Sequence, residues 1–254
     1  MPAFFCPKMR REDFQVRKIA YVSLLVLLGV VTSATAQSTP IVSPIDQTLQ
    51  PPVELRNLGT LKNELKQYHD CTGGYGCYTD DLRAQTDRAQ AALAARVKAR
   101  KPDEKLAIVF DIDETVLSNW PELAKLGLGF YQPLEDEWER SERAEAIPGP
   151  VALYKQAVAS GVTVFFITGR PEAMREATAA NLRDQSMTEW KALVLRSKEE
   201  QDETAVIYKS SERRKIVEQG HTIIMSVGDQ WSDLDGEPRA EVSVKLPNPF
   251  YFIP

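Results

Sequence analysis

The sequence predicts an α/β fold, a mostly parallel sheet flanked by helices, and three observations carry that reading. From Lys105 onward, short β-rich runs stand at 106–111, 162–168, 192–196, 222–228 and 241–246. Helical stretches separate them, and such alternation builds βαβ units. Three of the runs end in Asp111, Thr168 and Gly228, at the strand ends where parallel sheets collect their functional residues. Composition leaves the fold to this pattern: of 254 residues, 43% are apolar and 26% charged, as in an ordinary globular chain.

The first 36 residues read as a signal peptide. Lys8, Arg10, Arg11, Arg17 and Lys18 precede an apolar run from Ile19 to Val31, and Ala34-Thr35-Ala36 follows as a cleavage pattern. The apolar run has 13 residues, short of the roughly 20 that a transmembrane anchor needs. No cysteine follows it to carry a lipid. A periplasmic or secreted protein without a stable membrane anchor is therefore expected. Cleavage would leave 218 residues with 26 basic and 34 acidic side chains, a balance of −8 in place of −5. An acidic chain lacks the broad basic face that a nucleic acid polymer requires. Two histidines are too few for a multi-histidine metal site.

Residues 37–52 are polar and proline-rich and read as a flexible leader. Residues 53–104 read as a helical hairpin. Leu55, Leu58, Leu61, Leu65 and Tyr68 recur at helical spacing, and a second helix opens at Thr79-Asp80-Asp81 with Leu82, Ala89, Leu93 and Val97 on one face. The glycine-rich loop between them holds Cys71 and Cys77. A disulfide is the default for such a pair in an exported protein. The alternative is zinc held by His69 and both cysteines, which shows only three ligands.

Residues 105–254 form the main domain. A buried strand ends in Asp111-Ile112-Asp113-Glu114-Thr115; the bland reading of a lone Asp-x-Asp is a solvated turn. Two adjacent carboxylates there repel unless a cation or proton compensates. The insertion 114–149 is too long for a turn and predicts a few helices carrying Trp120, Phe130, Tyr131 and Trp138. A second strand delivers Thr168 and Gly169, with Arg170 next and Pro171 suited to the first turn of a helix. Alone, this is an ordinary strand-to-helix connection. Lys209 follows an apolar stretch and precedes what reads as a serine-capped helix, and a lysine there can meet phosphate charge. A solvated face describes Arg213, Arg214 and Lys215 better than it describes Lys209. The last strand ends in Gly228-Asp229, with Asp233 and Asp235 close behind. Aspartates are suitable oxygen ligands for Mg²⁺.

In that order, Asp-x-Asp, Thr, Lys and Gly-Asp-x-x-x-Asp resemble the haloacid dehalogenase (HAD) superfamily. The wording DIDET, FFITGR, GDQWSDL and KLPNPFYFIP is similar to its acid phosphatases of the class B/C (subfamily IIIB) type, which include plant vegetative storage proteins. The resemblance covers 105–254 well and the rest loosely. It implies a Rossmann-like core with a small helical cap, and hydrolysis of a phosphate monoester through an aspartyl-phosphate. Asp111 would be the nucleophile and Asp113 the general acid and base. Thr168 and the Gly169 amide would bind phosphoryl oxygens, and Lys209 would balance their charge. Mg²⁺ would be held by Asp111, Asp229 and the backbone carbonyl of Asp113, with Asp233 in support; Asp235 would be a turn residue. The substrate class implied is a small phosphomonoester, with a nucleotide among the candidates because the cap aromatics could either stack on a ring or pack the cap. A storage or phosphate-binding protein with weak catalysis, or a phosphotransferase, are the alternatives on the same scaffold. The sequence carries no signal for the oligomeric state.

Overall fold

Five strands of the computed structural model, which describes residues 55–253, form one parallel sheet: β1 (Lys105–Phe110), β4 (Thr163–Pro171), β5 (Ala192–Arg196), β6 (His221–Gly228) and β7 (Val242–Lys245). Their order is β5-β4-β1-β6-β7, and every pairing is parallel. The regions read as signal peptide and leader, residues 1–52, lie outside the described residues. Among the described residues no helix is long and apolar enough to cross a membrane.

The continuous apolar runs have a direct cause. A strand covered on both faces must be apolar at every position, and Leu106 through Phe110 are all buried. The period of two still sorts their side chains. Ile108, Phe110, Val164 and Phe166 enter a large core with helices α2 (Tyr78–Lys98), α5 (Pro148–Ala159) and α6 (Arg175–Asp184). Ala107, Val109, Phe165 and Ile167 enter a smaller one beneath helix α7 (Ala205–Glu218). Two differences from the sequence reading appear at β4. The strand runs on to Pro171 through a register shift after Ile167, so Thr168 stands within it. Pro171 therefore precedes a short 3₁₀ turn, Glu172–Met174, and α6 starts only after that.

Helix α1 (Leu58–His69) begins later than the leucine spacing suggested. Asn57 caps it, its Oδ1 accepting from the Gly59 amide at 2.9 Å, so Leu55 falls outside and stays exposed. In α2 the buried residues Tyr78, Leu82, Thr86, Ala89 and Leu93 mark one helical stripe. That stripe packs closely on α5: a Cβ on Gly149 would come within 2.6 Å of the Thr86 hydroxyl, so only glycine fits there. Cys71 and Cys77 are joined in a disulfide that closes the loop between α1 and α2. Both sulfurs are thus spent, and His69 has no cysteine partner for zinc. Instead His69 stacks on Trp120 at 3.6 Å between ring centres, with Tyr78 and Phe250 around it.

The insertion after β1 leaves and returns through a two-stranded antiparallel ribbon, β2 (Leu117–Ser118) and β3 (Glu145–Ala146). Between them lie α3 (Trp120–Lys125) and α4 (Gln132–Arg140). Its aromatics divide. Trp120 and Trp138 pack inward, whereas Phe130 and Tyr131 are exposed.

Candidate active site

The carboxyl ends of β1, β4 and β6 meet beside the buried face of α7, under the insertion. They open into a cavity of about 730 Å³ that Asp111, Asp113, Gly169, Lys209, Asp229 and Asp233 all line. Phe130 and Glu139 of the insertion and Phe252 near the C-terminus also line it.

Asp111 extends the β1 ladder by one bond, its amide donating to the Val227 carbonyl at 2.9 Å. Its Oδ1 accepts from Lys209 Nζ at 2.6 Å, and its Oδ2 from the Thr115 hydroxyl at 3.1 Å. Lys209 also donates to Asp233 Oδ1. The lysine sits inside α7 rather than ahead of it. Thr204 caps that helix, while the Ser210 and Ser211 hydroxyls donate back to the carbonyls of Ile207 and Tyr208. Ala205, Tyr208, Lys209, Glu212, Arg213 and Ile216 share the buried stripe, and this puts a lysine on an otherwise core-facing surface.

The same stripe corrects the reading of Arg213 as part of a solvated face. Its side chain is only 1% exposed. The guanidinium donates to the backbone carbonyls of Asp233, Asp235, Gly236 and Pro238, tying down the loop that carries Asp233. Four carbonyls converging on one planar fork explain why an arginine can be buried here. Asp235 uses its carboxylate on Arg239, as a turn residue would.

Gly228 shows how tightly this loop is wound. A Cβ there would lie 2.2 Å from Asp233 Oδ2. That oxygen accepts from the Gln230 amide at 2.8 Å. Asp229 Oδ2 accepts from Gln230 Nε2 at 2.7 Å and Asn248 Nδ2 at 2.6 Å. The Thr115 hydroxyl lies 3.2 Å from Asp229 Oδ1 and accepts from the Asp229 amide at 3.1 Å.

Asp113 faces a different set. Arg170 Nη2 donates to its Oδ1 at 2.6 Å, Arg170 Nε reaches both oxygens at 3.1 Å, Asn119 Nδ2 donates to Oδ1 at 2.9 Å, and the Thr168 hydroxyl donates to Oδ2 at 3.3 Å. Gly169 is exposed, with no atom within 4 Å of where a Cβ would stand, so its backbone is open to a ligand.

The charges explain the titration. Burial raises Asp111 well above the usual carboxylate range; Lys209 opposes this, and Asp233 and Asp229 add to it. Burial and then Asp233 push Asp229 up to about 7. Burial and then Asp113 lift Glu114 and Glu139 each to about 8. Asp113 goes the other way: burial would raise it, but Arg170 together with its hydrogen bonds holds it below its ordinary value. For Lys209 burial favours the neutral amine, and the carboxylates of Asp111 and Asp233 outweigh it.

One carboxylate oxygen each from Asp111, Asp229 and Asp233 lie within 4.8 Å of one another. Lys209 pairs with two of these three buried carboxylates, Asp111 and Asp233, and Asp229 has no ion pair among the described residues, so the site is short of positive charge. An all-oxygen donor set of that kind fits a hard divalent cation. The Asp113 carboxylate is not in this group. Its oxygens are committed to Arg170, Asn119 and Thr168.

Of the residues assigned a catalytic, phosphate-binding or metal role from the sequence, Asp111, Asp113, Gly169, Lys209, Asp229 and Asp233 line this cavity and Thr168 contacts Asp113, while Cys71 and Cys77 lie in the hairpin loop. Several others were missed. Arg170 stands in FFITGR and Glu114 in DIDET, where a charged residue beside a strand end was a usable signal. Asn119, Asn248 and Tyr251 sit in segments whose path could not be read from spacing.

Comparison with known proteins agrees with this geometry. Residues 32–254 match the family model described as HAD superfamily, subfamily IIIB (Acid phosphatase). Acid phosphatase 1 of Solanum lycopersicum is 40% identical over 148 residues, covering 57% of this chain and 58% of that protein. The stem 28 kDa glycoprotein of Glycine max is 39% identical over 177 residues, covering 67% of this chain and 68% of that protein. Vegetative storage protein 1 of Arabidopsis thaliana is 34% identical, covering 67% and 64%. Among solved structures, the class C acid phosphatase from Bacillus anthracis with tungstate bound superposes with a TM-score of 0.63 at 25% identity, over 77% of this chain and 86% of that one. Strand order, the carboxylate constellation and the family match converge on one assignment: the chain belongs to the acid phosphatase family, subfamily IIIB of the HAD superfamily.

Proposed function

We propose that the protein is an exported, Mg²⁺-dependent acid phosphatase that hydrolyses small phosphate monoesters through an aspartyl-phosphate. The observation that carries this reading is the contrast between the carboxylates at the end of β1. Asp111 is paired with Lys209 beside two further aspartates, and Asp113, two residues on from Asp111, is gripped by Arg170.

In this reading a carboxylate oxygen of Asp111 attacks phosphorus. The bond from phosphorus to the ester oxygen breaks, and its electron pair stays on that oxygen. Asp113 delivers a proton there, then takes one from the water that opens the acyl phosphate. Lys209 holds Asp111 in place and offsets phosphoryl charge, while the Thr168 hydroxyl and the Gly169 amide bind phosphoryl oxygens. Asp111, Asp229, Asp233 and the Asp113 carbonyl would hold Mg²⁺, which when bound supplies charge neutralisation. Enclosure by the insertion limits water, in which the same charges would count for less.

Export is supported by the signal-like first 36 residues and by the Cys71–Cys77 disulfide, which suits an oxidising compartment. The same sequence pattern supports a three-part division, with a hairpin over 53–104, a core over 105–254 and a cap over 114–149. A storage role is the second reading, because relatives include a vegetative storage protein. The complete set of Asp111, Asp113, Thr168, Lys209 and Asp229 favours catalysis over it. The deciding experiment is a phosphomonoester panel on the mature protein, with and without Mg²⁺, beside Asp111→Asn. Turnover that needs both the metal and Asp111 supports the hydrolase; phosphate binding with no turnover supports storage.

A further inference from the structure

Asn119 is 2% exposed and has every polar group occupied. Its Nδ2 donates to Asp113 Oδ1 at 2.9 Å and to Glu114 Oε2 at 3.2 Å. Its backbone amide donates to Glu114 Oε1 at 2.6 Å. Its Oδ1 accepts from Trp138 Nε1 at 2.8 Å. Glu114 is fixed from the other side by the Tyr251 hydroxyl at 2.8 Å.

The tryptophan decides which way the amide points. The two ends of an asparagine amide are nearly equal in shape, so packing alone does not choose between them. An indole N–H can only donate. It therefore demands Oδ1, and the amide NH₂ is left facing two carboxylates that can accept it. Flipped, the amide oxygen would stand against carboxylate oxygens while the indole N–H met another donor. Trp138 belongs to α4, in the insertion, whereas Asp113 belongs to the core.

The donors around Asp113 are unevenly placed. Arg170 Nη2 and Asn119 Nδ2 both converge on Oδ1, at 2.6 and 2.9 Å. Oδ2 has only the longer contacts with Arg170 Nε at 3.1 Å and the Thr168 hydroxyl at 3.3 Å. Oδ1, held by the two shortest N–H contacts, is the poorer place for a proton; Oδ2, with longer contacts and a Thr168 hydroxyl that can turn to accept, is the better one.

We propose that Asn119, with its amide set by Trp138, is the positioning residue for Asp113: it reserves Oδ2 for the proton that goes to the leaving oxygen, and it makes proton delivery depend on α4 being seated. This rests on the hydrolase reading above. In the step concerned, the bond from Asp111 to phosphorus forms, the bond to the ester oxygen breaks, and the proton on Asp113 Oδ2 moves to that oxygen.

Leaving-group dependence tests this. Ethyl phosphate needs a proton on its departing oxygen, whereas 2,4-dinitrophenyl phosphate releases a stable anion without one. Because kcat/KM reports the steps up to formation of the phosphoenzyme, the ratio of the two kcat/KM values isolates proton delivery. Trp138→Phe keeps an aromatic ring in the packing but removes the N–H together with the five-membered ring of the indole, so the ratio of the two esters, not either rate alone, reads the lost hydrogen bond. The ethyl to dinitrophenyl ratio is expected to fall about tenfold in this variant and further in Asn119→Ala, a part of the roughly 10²–10⁴ that a general acid contributes. A role in packing alone would lower both rates together. An unchanged ratio in Trp138→Phe, whether both rates fall or neither does, overturns the proposal, and circular dichroism of each variant checks that it is folded. A wild type inert toward both esters would sink the hydrolase reading and this inference with it; an active wild type with an unchanged variant ratio sinks the inference alone.

Discussion

Asp111 and Asp113 stand two residues apart on one strand end, yet their surroundings are opposite. Asp111 shares a single lysine with Asp233 and has Asp229 close by, so it lies among carboxylates without enough positive charge. Asp113 has an arginine gripping it along one edge, and that guanidinium is itself buried. One half of the site calls for a cation; the other has its own. The difference shows how one residue type takes two roles, as electrostatics and not spacing separate the environments.

Asp111→Asn strikes the first half hardest. Loss of the nucleophile is expected to reduce kcat/KM on the order of 10⁴-fold or more, measured as phosphate release from any active ester, with the fold retained. Asp113→Asn strikes the second half and should cost about 10²–10⁴-fold on alkyl phosphates. A greater loss in Asp113→Asn than in Asp111→Asn would reverse the assignment of roles.

A metal held by the three aspartates would act mainly on the first half. Chelation should silence the enzyme, and Asp229→Asn should weaken Mg²⁺ binding by roughly 10–100-fold in a calorimetric titration. Asn119→Ala, in the second half, should leave that affinity near the wild-type value. Equal weakening in both would mean that the halves are not separate.

The disulfide lies behind the second half, since it closes the loop next to His69, and His69 stacks on Trp120, the neighbour of Asn119. Replacing Cys71 and Cys77 together by serine should cost about 2 kcal/mol in denaturant unfolding, a modest figure because the loop is short. The smallest effect belongs to a pair remote from both halves. A hydrogen bond from Arg96, then one from the Lys101 amide, holds Glu104 down to about 2. Because that value is depressed, its stabilising contribution is full above the unfolded carboxylate range and fades as pH falls toward 2. Glu104→Gln should remove that slight acid sensitivity from the unfolding midpoint and leave turnover unchanged.

Much of the fold was legible because buried parallel strands need apolar runs, which stood out at the central strands β1, β4 and β6, while shorter β-rich runs marked the edge strands β5 and β7. Asp111, Thr168 and Asp229 were legible as a group because each lies at or near the carboxyl end of its strand, and a parallel sheet brings such ends together. Lys209 was found for an incomplete reason: it stands on the core-facing stripe of α7, not ahead of the helix. The same stripe holds Arg213, which charge alone had put in solvent.

By itself the sequence determined the strand pattern, the order of the motifs and the kinds of oxygen and nitrogen that line the site. These follow from local periodicity and from residue chemistry. Only the tertiary structure decided which partner each carboxylate would have. Arg170 turns to Asp113, Asn248 arrives from beyond the last strand to meet Asp229, and Tyr251 reaches Glu114 across 137 positions of sequence. Trp138 and Asn119 likewise meet only because the insertion folds back over β1. Such pairings depend on side-chain direction and on how elements pack, and neither is written in the spacing of residues along the chain.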